Sequence, residues 1–224
     1  MEILDSIPVT LEVDEVVSRM QISRRNELLE GEVRDILEIA RPVARPRVVY
    51  EVCYVDKKKG DSIEIGGVTF TSRVLSINLD KVERVFPYVA TCGRELEEIA
   101  VPPDDLVKRY CLDVVKEEAL ASAHVYLRDH LVTRYALGEI SIMNPASLED
   151  WPLAQQRELF SLLGDVEGLI GVKLRDSLLM VPLKSVSGIC FPTEIRFESC
   201  QLCPREKCIS RRASFDPDML QRYH

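Results

Sequence analysis

Apolar residues return every three or four positions between residues 27 and 41, at Leu29, Val33, Ile36, Leu37 and Ala40. That spacing puts them on one face of a helix, which Pro42 stops because it has no N–H to continue the ladder. From Arg47 the pattern changes. Residues 48–55 are mostly β-branched or aromatic and predict a strand, and residues 63–65 and 68–70 flank Gly66-Gly67, the signature of a two-residue hairpin. Residues 84–91 predict another strand, ending at Cys92-Gly93 and followed by a short acidic helix from Glu95.

A long helical pattern then runs over about residues 105–135, with Asp104 as the expected N-cap and Leu106, Tyr110, Val114, Ala121 and Val125 along its expected apolar face. Gly138 ends it. Residues 140–142 predict a short strand, residues 145–150 a polar turn, and residues 152–163 a helix with Gly164 just past its end. Residues 169–174, 178–181 and 186–191 are three further strand-length apolar runs. Strands before and after the main helices make this an α+β chain. Its expected organisation is an N-terminal helical extension (1–46), a mixed domain (47–195) and a cysteine-rich tail (196–224).

Composition agrees with a packed core: 46% of the 224 residues are hydrophobic and 29% charged. A net charge of −8 repels phosphate backbones and anionic lipid, so no nucleic-acid or membrane partner is expected. The tail runs against the trend: Arg196, Arg205, Lys207, Arg211, Arg212 and Arg222 outnumber Glu198, Glu206, Asp216 and Asp218. Met1-Glu2-Ile3-Leu4-Asp5 lacks the basic and apolar regions of a signal peptide, and no apolar run approaches the roughly 20 residues of a membrane span. A cytoplasmic location is expected.

The sharpest local signal is Cys200-Gln-Leu-Cys203-Pro-Arg-Glu-Lys-Cys208, a C-x2-C-x4-C array with Cys190 ten residues upstream. Four thiolates suit an iron–sulfur cluster or structural zinc, and spacing does not separate the two. The basic neighbours would offset thiolate charge. Cys190, Cys200, Cys203 and Cys208 are therefore the candidate ligands. Cys53 and Cys111 fall in apolar patterns and read as core, while Cys92 stands at a strand-to-loop junction. His124, His130 and His224 are scattered and support no hydrolytic triad. No phosphate-cradling glycine motif is present.

Asn144-Pro145-Ala146-Ser147-Leu148-Glu149-Asp150-Trp151-Pro152-Leu153, Ile170-Gly171-Val172-Lys173-Leu174 and Lys184-Ser185-Val186-Ser187-Gly188 together resemble the activation (reactivation) domain of cobalamin-dependent methionine synthase, in its stand-alone versions. Val89-Ala90-Thr91-Cys92-Gly93 and the long helix with Asp113 extend the resemblance over residues 47–195. The resemblance implies a C-shaped α+β domain with a twisted antiparallel sheet. It further implies that the domain docks on a corrinoid-carrying protein or methionine synthase subunit and supports reductive methylation of its cobalt(II), with S-adenosylmethionine as donor.

The family holds that donor at Arg-x-Ala-Pro-Gly-Tyr. Here Pro145 matches, but Ile142 and Ser147 stand at the Arg and Tyr positions. The guanidinium that would grip the donor's carboxylate is absent, and a neutral branched side chain cannot replace it. Asn144, Pro145, Ser147, Asp150, Trp151, Ser187 and Gly188 are the residues expected to line the equivalent pocket. The competing structural reading makes residues 147–152 a turn and helix start, with Asp150 or Trp151 at the N-terminus. The leading functional expectation is a reactivation partner whose cysteine tail carries an iron–sulfur centre. The alternatives are an adenosylmethionine-binding domain of a split methionine synthase with structural zinc, and a zinc-knuckle interaction protein without catalysis.

Overall fold

A computed structural model describes residues 1–20, 22, 26–208 and 211–223; His224 lies outside them. The chain opens with strand β1 (Glu2–Leu4) and helices α1 (Val13–Arg19) and α2 (Glu27–Ala40). Asn26 caps α2 by accepting from Leu29 N at 2.8 Å, and Leu29, Val33, Ile36, Leu37 and Ala40 are buried, the face expected from their spacing. Strands β2 (Arg47–Tyr50), β3 (Cys53–Lys59), β4 (Ser62–Ile65) and β5 (Val68–Thr71) follow. Between the last two, Gly66 (φ 56°) and Gly67 (φ 78°) both take the left-handed backbone that the tightest hairpin turn demands.

The single strand expected over 48–55 is two. β2 pairs with the upper half of β6 (Arg84–Thr91) and β3 with its start, and the break at Glu51-Val52 faces Phe86-Pro87. Pro87 has no N–H to donate, so a continuous ladder is not available there; Glu51 N still reaches the Pro87 carbonyl at 3.0 Å. Helix α3 (Arg73–Asn78) precedes β6, and α4 (Arg94–Glu97) and the 30-residue α5 (Leu106–Tyr135) follow it. Asp105, one residue later than expected, caps α5 by accepting from Lys108 N at 3.0 Å. Ala136 (φ 49°) ends it before Gly138 is reached.

The buried face of α5 also differs from expectation. Val114 is buried as expected and Ala121 half-buried, but Leu106, Tyr110 and Val125 are exposed, whereas Cys111, Val115, Ala119, Ala123, Leu127 and Leu131 are buried. A four-residue step drifts round a 3.6-residue helix, so the stripe turns from one neighbour to another. The first half of α5 packs with α1 and α2, and the second half lies on the sheet against Val48, Tyr50, Phe86 and Tyr88.

Strand β7 (Ile140–Met143) leads through a turn into α6 (Gln156–Leu163) and α7 (Val166–Ile170), then β8 (Lys173–Leu174), β9 (Met180–Val181), β10 (Ser185–Pro192) and α8 (Pro217–Tyr223). The apolar run at 169–174 is thus the end of α7, a left-handed Gly171 (φ 77°) and the two-residue β8. All strand pairs are antiparallel. The sheet runs β1-β2-β6-β3-β4-β5, with β10 on the far edge of β6 and β7 beyond it, and β8-β9 form a separate pair. Helices flank the sheet: α5 on one side, and on the other α6 and α7, whose Leu163, Val166 and Ile170 pack with Val49 and Val89. The α+β class expected from the sequence is the one observed. Residues 1–46 supply α1 and α2 and also β1, which pairs with β2 at the sheet's edge. Among the described residues no helix is long and apolar enough to cross a membrane.

Candidate functional site

The β7–α6 turn carries the most telling part of the sequence, and two side chains fasten it. Asn144 Nδ2 donates to Tyr88 Oη at 2.9 Å and to the Ser187 carbonyl at 2.8 Å, tying the turn to β6 and β10. At the other end the Asp150 carboxylate accepts from Ser72 Oγ and from Arg73 N (3.1 Å) and Val74 N (3.0 Å), closing the N-terminus of α3. Between them Ala146 stands at φ 64°, and its N–H reaches the Trp151 carbonyl at 2.7 Å. This is the position that the methionine synthase motif fills with glycine.

Gly188 is fixed by close approach. A Cβ there would stand 2.4 Å from Asn144 Nδ2 and 2.5 Å from the Met143 carbonyl. Beside it Ser187 is buried, and its hydroxyl has no hydrogen-bond partner among the described residues. Asn144 and the consecutive pair Ser187-Gly188, more than forty residues further along the chain, thus meet beside Tyr88.

Other expected pocket residues are occupied otherwise. Asp150 serves as the cap just described. Trp151 is buried, crossing Phe70 edge to face at 6.2 Å, with its indole N–H on Gln155 Oε1 at 3.2 Å. Pro145 is buried and Ser147 is exposed at the tip. Ile142 is half-buried in the apolar layer beneath α5, so the Arg position of the motif holds no charge. Asn144 has spent both amide hydrogens on the protein. The residues at this corner do not reproduce the grip on an adenosylmethionine carboxylate.

Tyr88 and His124 are the members that the sequence did not point to. The Tyr88 hydroxyl lies 3.5 Å from His124 Nε2, so a polar chain runs Ser187 carbonyl, Asn144, Tyr88, His124. Burial drives the Tyr88 phenol well above its usual range. Burial, reinforced by the charge of Arg212, lowers the His124 imidazole to about 4. A matching pair stands on the next strand, where Tyr50, the register partner of Tyr88, meets His130 Nε2 at 3.0 Å. The two histidines lie three residues either side of Leu127. Register across β2 and β6 would have been needed to find them.

Nearby, Lys184 Nζ bridges Asp113 (2.9 Å) and Glu117 (2.6 Å) on α5; burial lowers its pKa, but these two carboxylates outweigh it and raise the net value. Cys92 is buried and pushed up to about 12 by burial, which makes it part of the core. Open clefts of about 990 Å³, between residues 8–19 and α5, and about 870 Å³, between the start of β6 and the end of β10, contain none of the turn residues.

The cysteine array does not gather. Cys190 is fully buried in β10 beneath α5, and burial drives its thiol far above the usual range. Cys200 and Cys203 are half-buried and Cys208 is exposed, all as free thiols. Among the described residues no three His, Cys, Asp or Glu side chains form a group that could hold a metal ion. The expected four-thiolate site therefore does not fit this arrangement. A thiol that packs inside a hydrocarbon layer gives up its ligand role to the core.

The fold is an antiparallel sheet with the long helix α5 on one face and α6 and α7 on the other. The crystal structure of the MetH reactivation domain bound to AdoHcy matches it with a TM-score of 0.59 and 15% sequence identity, over 88% of this chain and 80% of that one. At that identity the likeness is one of fold. No family model matches the chain, and no curated protein matches it.

Proposed function

We propose that this protein is a reactivation partner of a cobalamin-dependent methyltransferase system, docking on the corrinoid-carrying protein while its cobalt(II) is reduced and methylated. The fold likeness to the MetH reactivation domain over 88% of the chain carries this reading. The β7–α6 corner supports it. A docking platform must hold its shape against a partner, and here the turn is fixed to β6, β10 and α3 by directed hydrogen bonds. Its role in this reading is positioning.

The test is co-chromatography of the purified protein with corrinoid proteins carrying cobalt(II), followed by visible absorbance under a low-potential reductant. Association, with faster loss of the cobalt(II) band, is the expected result; absence of both across cobalamin-dependent methyltransferases overturns the proposal. A second reading is favoured by the AdoHcy bound to the structural neighbour: an adenosylmethionine-binding domain of a split methionine synthase. Calorimetric titration with adenosylmethionine separates the two, since saturable heat supports the second and its absence removes the chain as holder of the methyl donor.

A further inference from the structure

The tail, whose described residues gather no metal-binding group, is built around two of its cysteines. Residues 199–201 form a 3-10 turn, and Cys203 N donates to the Cys200 carbonyl at 3.3 Å. A turn closed between residues three apart brings their Cα atoms within about 7 Å, the span a disulfide bridges. The Arg211 guanidinium then locks the turn, donating to the carbonyls of Cys200, Cys203 and Ala213, each at 3.1 Å, and to that of Arg205. Arg212 N faces the Cys200 sulfur at 3.5 Å, a contact that stabilises negative charge on it. The tail is itself anchored: Phe197 N donates to Ser141 Oγ at 2.7 Å, and Tyr223 Oη to Asn78 Oδ1 at 3.0 Å. Cys53, Cys92, Cys111 and Cys190 are buried in the core, so the accessible thiols are those of the tail.

We propose that Cys200 and Cys203 are a redox pair that exchanges with low-molecular-weight disulfides, Cys200 reacting first and Cys203 resolving. The Cys200 sulfur attacks a disulfide RSSR, forming a Cys200–SR bond and releasing one RSH. Cys203 then attacks the Cys200 sulfur, forming the Cys200–Cys203 bond and releasing a second RSH. The pair loses two electrons and two protons, and both appear in the two RSH. This inference stands apart from the corrinoid reading and survives or fails without it.

The full chain, purified anaerobically and freed of reductant, is treated with oxidised glutathione, acid-quenched and mapped by mass spectrometry. Wild type is expected to lose two hydrogens in a peptide linking Cys200 to Cys203. Cys203→Ser is expected to hold one glutathione on Cys200, Cys200→Ser to lose the bond altogether, and Cys208→Ser to behave as wild type. First attachment at Cys203 or Cys208, or no Cys200–Cys203 bond, overturns the proposal. So does stoichiometric iron or zinc in the purified protein that Cys200→Ser and Cys203→Ser remove.

Discussion

The amide of Asn144 lies 2.9 Å from the Tyr88 hydroxyl, and through it the β7–α6 turn is joined to the central strand of the sheet. The same amide satisfies the Ser187 carbonyl. Asn144→Ala leaves both groups short of a partner and is expected to cost about 1–3 kcal/mol. Gly188→Ala drives a methyl into the same amide and the Met143 carbonyl, at an expected cost of about 1–3 kcal/mol through overpacking. Urea denaturation checks both. The two changes strike one contact, so the double variant should lose less than the sum.

Ala146 makes the opposite case. An L-residue at φ 64° carries a steric penalty of about 1–2 kcal/mol, which glycine escapes at some cost in unfolded-chain entropy. Ala146→Gly is therefore expected to raise stability by about 0.5–1 kcal/mol. A lower urea midpoint would show that the turn does not need this backbone.

Asp150 closes the start of α3 from a distant part of the chain. Its replacement by Ala exposes two helix N–H groups and the Ser72 hydroxyl, and is expected to cost about 1–2 kcal/mol. Hydrogen exchange should quicken at Arg73 and Val74 first, ahead of the β6 amides.

His124 sets a pH dependence. In the unfolded chain its imidazole takes a proton near 6.5, but in the folded protein only near about 4, because of burial and then Arg212. Between these values the unfolded state binds the extra proton. Stability should thus be full above about pH 6.5 and fall toward pH 4, by about 3 kcal/mol from this group. Urea midpoints across that window should slope in wild type and flatten in His124→Phe.

Where one element faces one environment, its residue pattern is legible. The α2 stripe, the β4–β5 hairpin with its paired glycines, and β6 over Arg84–Thr91 all stand as their patterns predict. The face predicted for α5 is right at Val114 and wrong at Leu106, Tyr110 and Val125, because its buried stripe is made largely of Cys, Val, Ala and Leu at four-residue steps and serves two neighbours. Larger apolar residues such as Leu106 and Tyr110 stay exposed and mislead a search by size. At the site, Asn144, Ser187 and Gly188 are legible in the sequence, while Tyr88 and His124 emerge only once β6 and α5 are packed together. The cysteine spacing is equally plain, but which sulfurs face outward is decided by Cys190 lying in a core strand.

One helix bridges two packing layers. Cys111, Val115 and Ala119 rest on α1 and α2, and Ala123, Leu127 and Leu131 rest on the sheet. A fragment starting at residue 47 would keep the sheet yet leave the front half of that helix bare, a sticky rod projecting into water. Because α5 belongs to both layers, the molecule should melt as one cooperative unit.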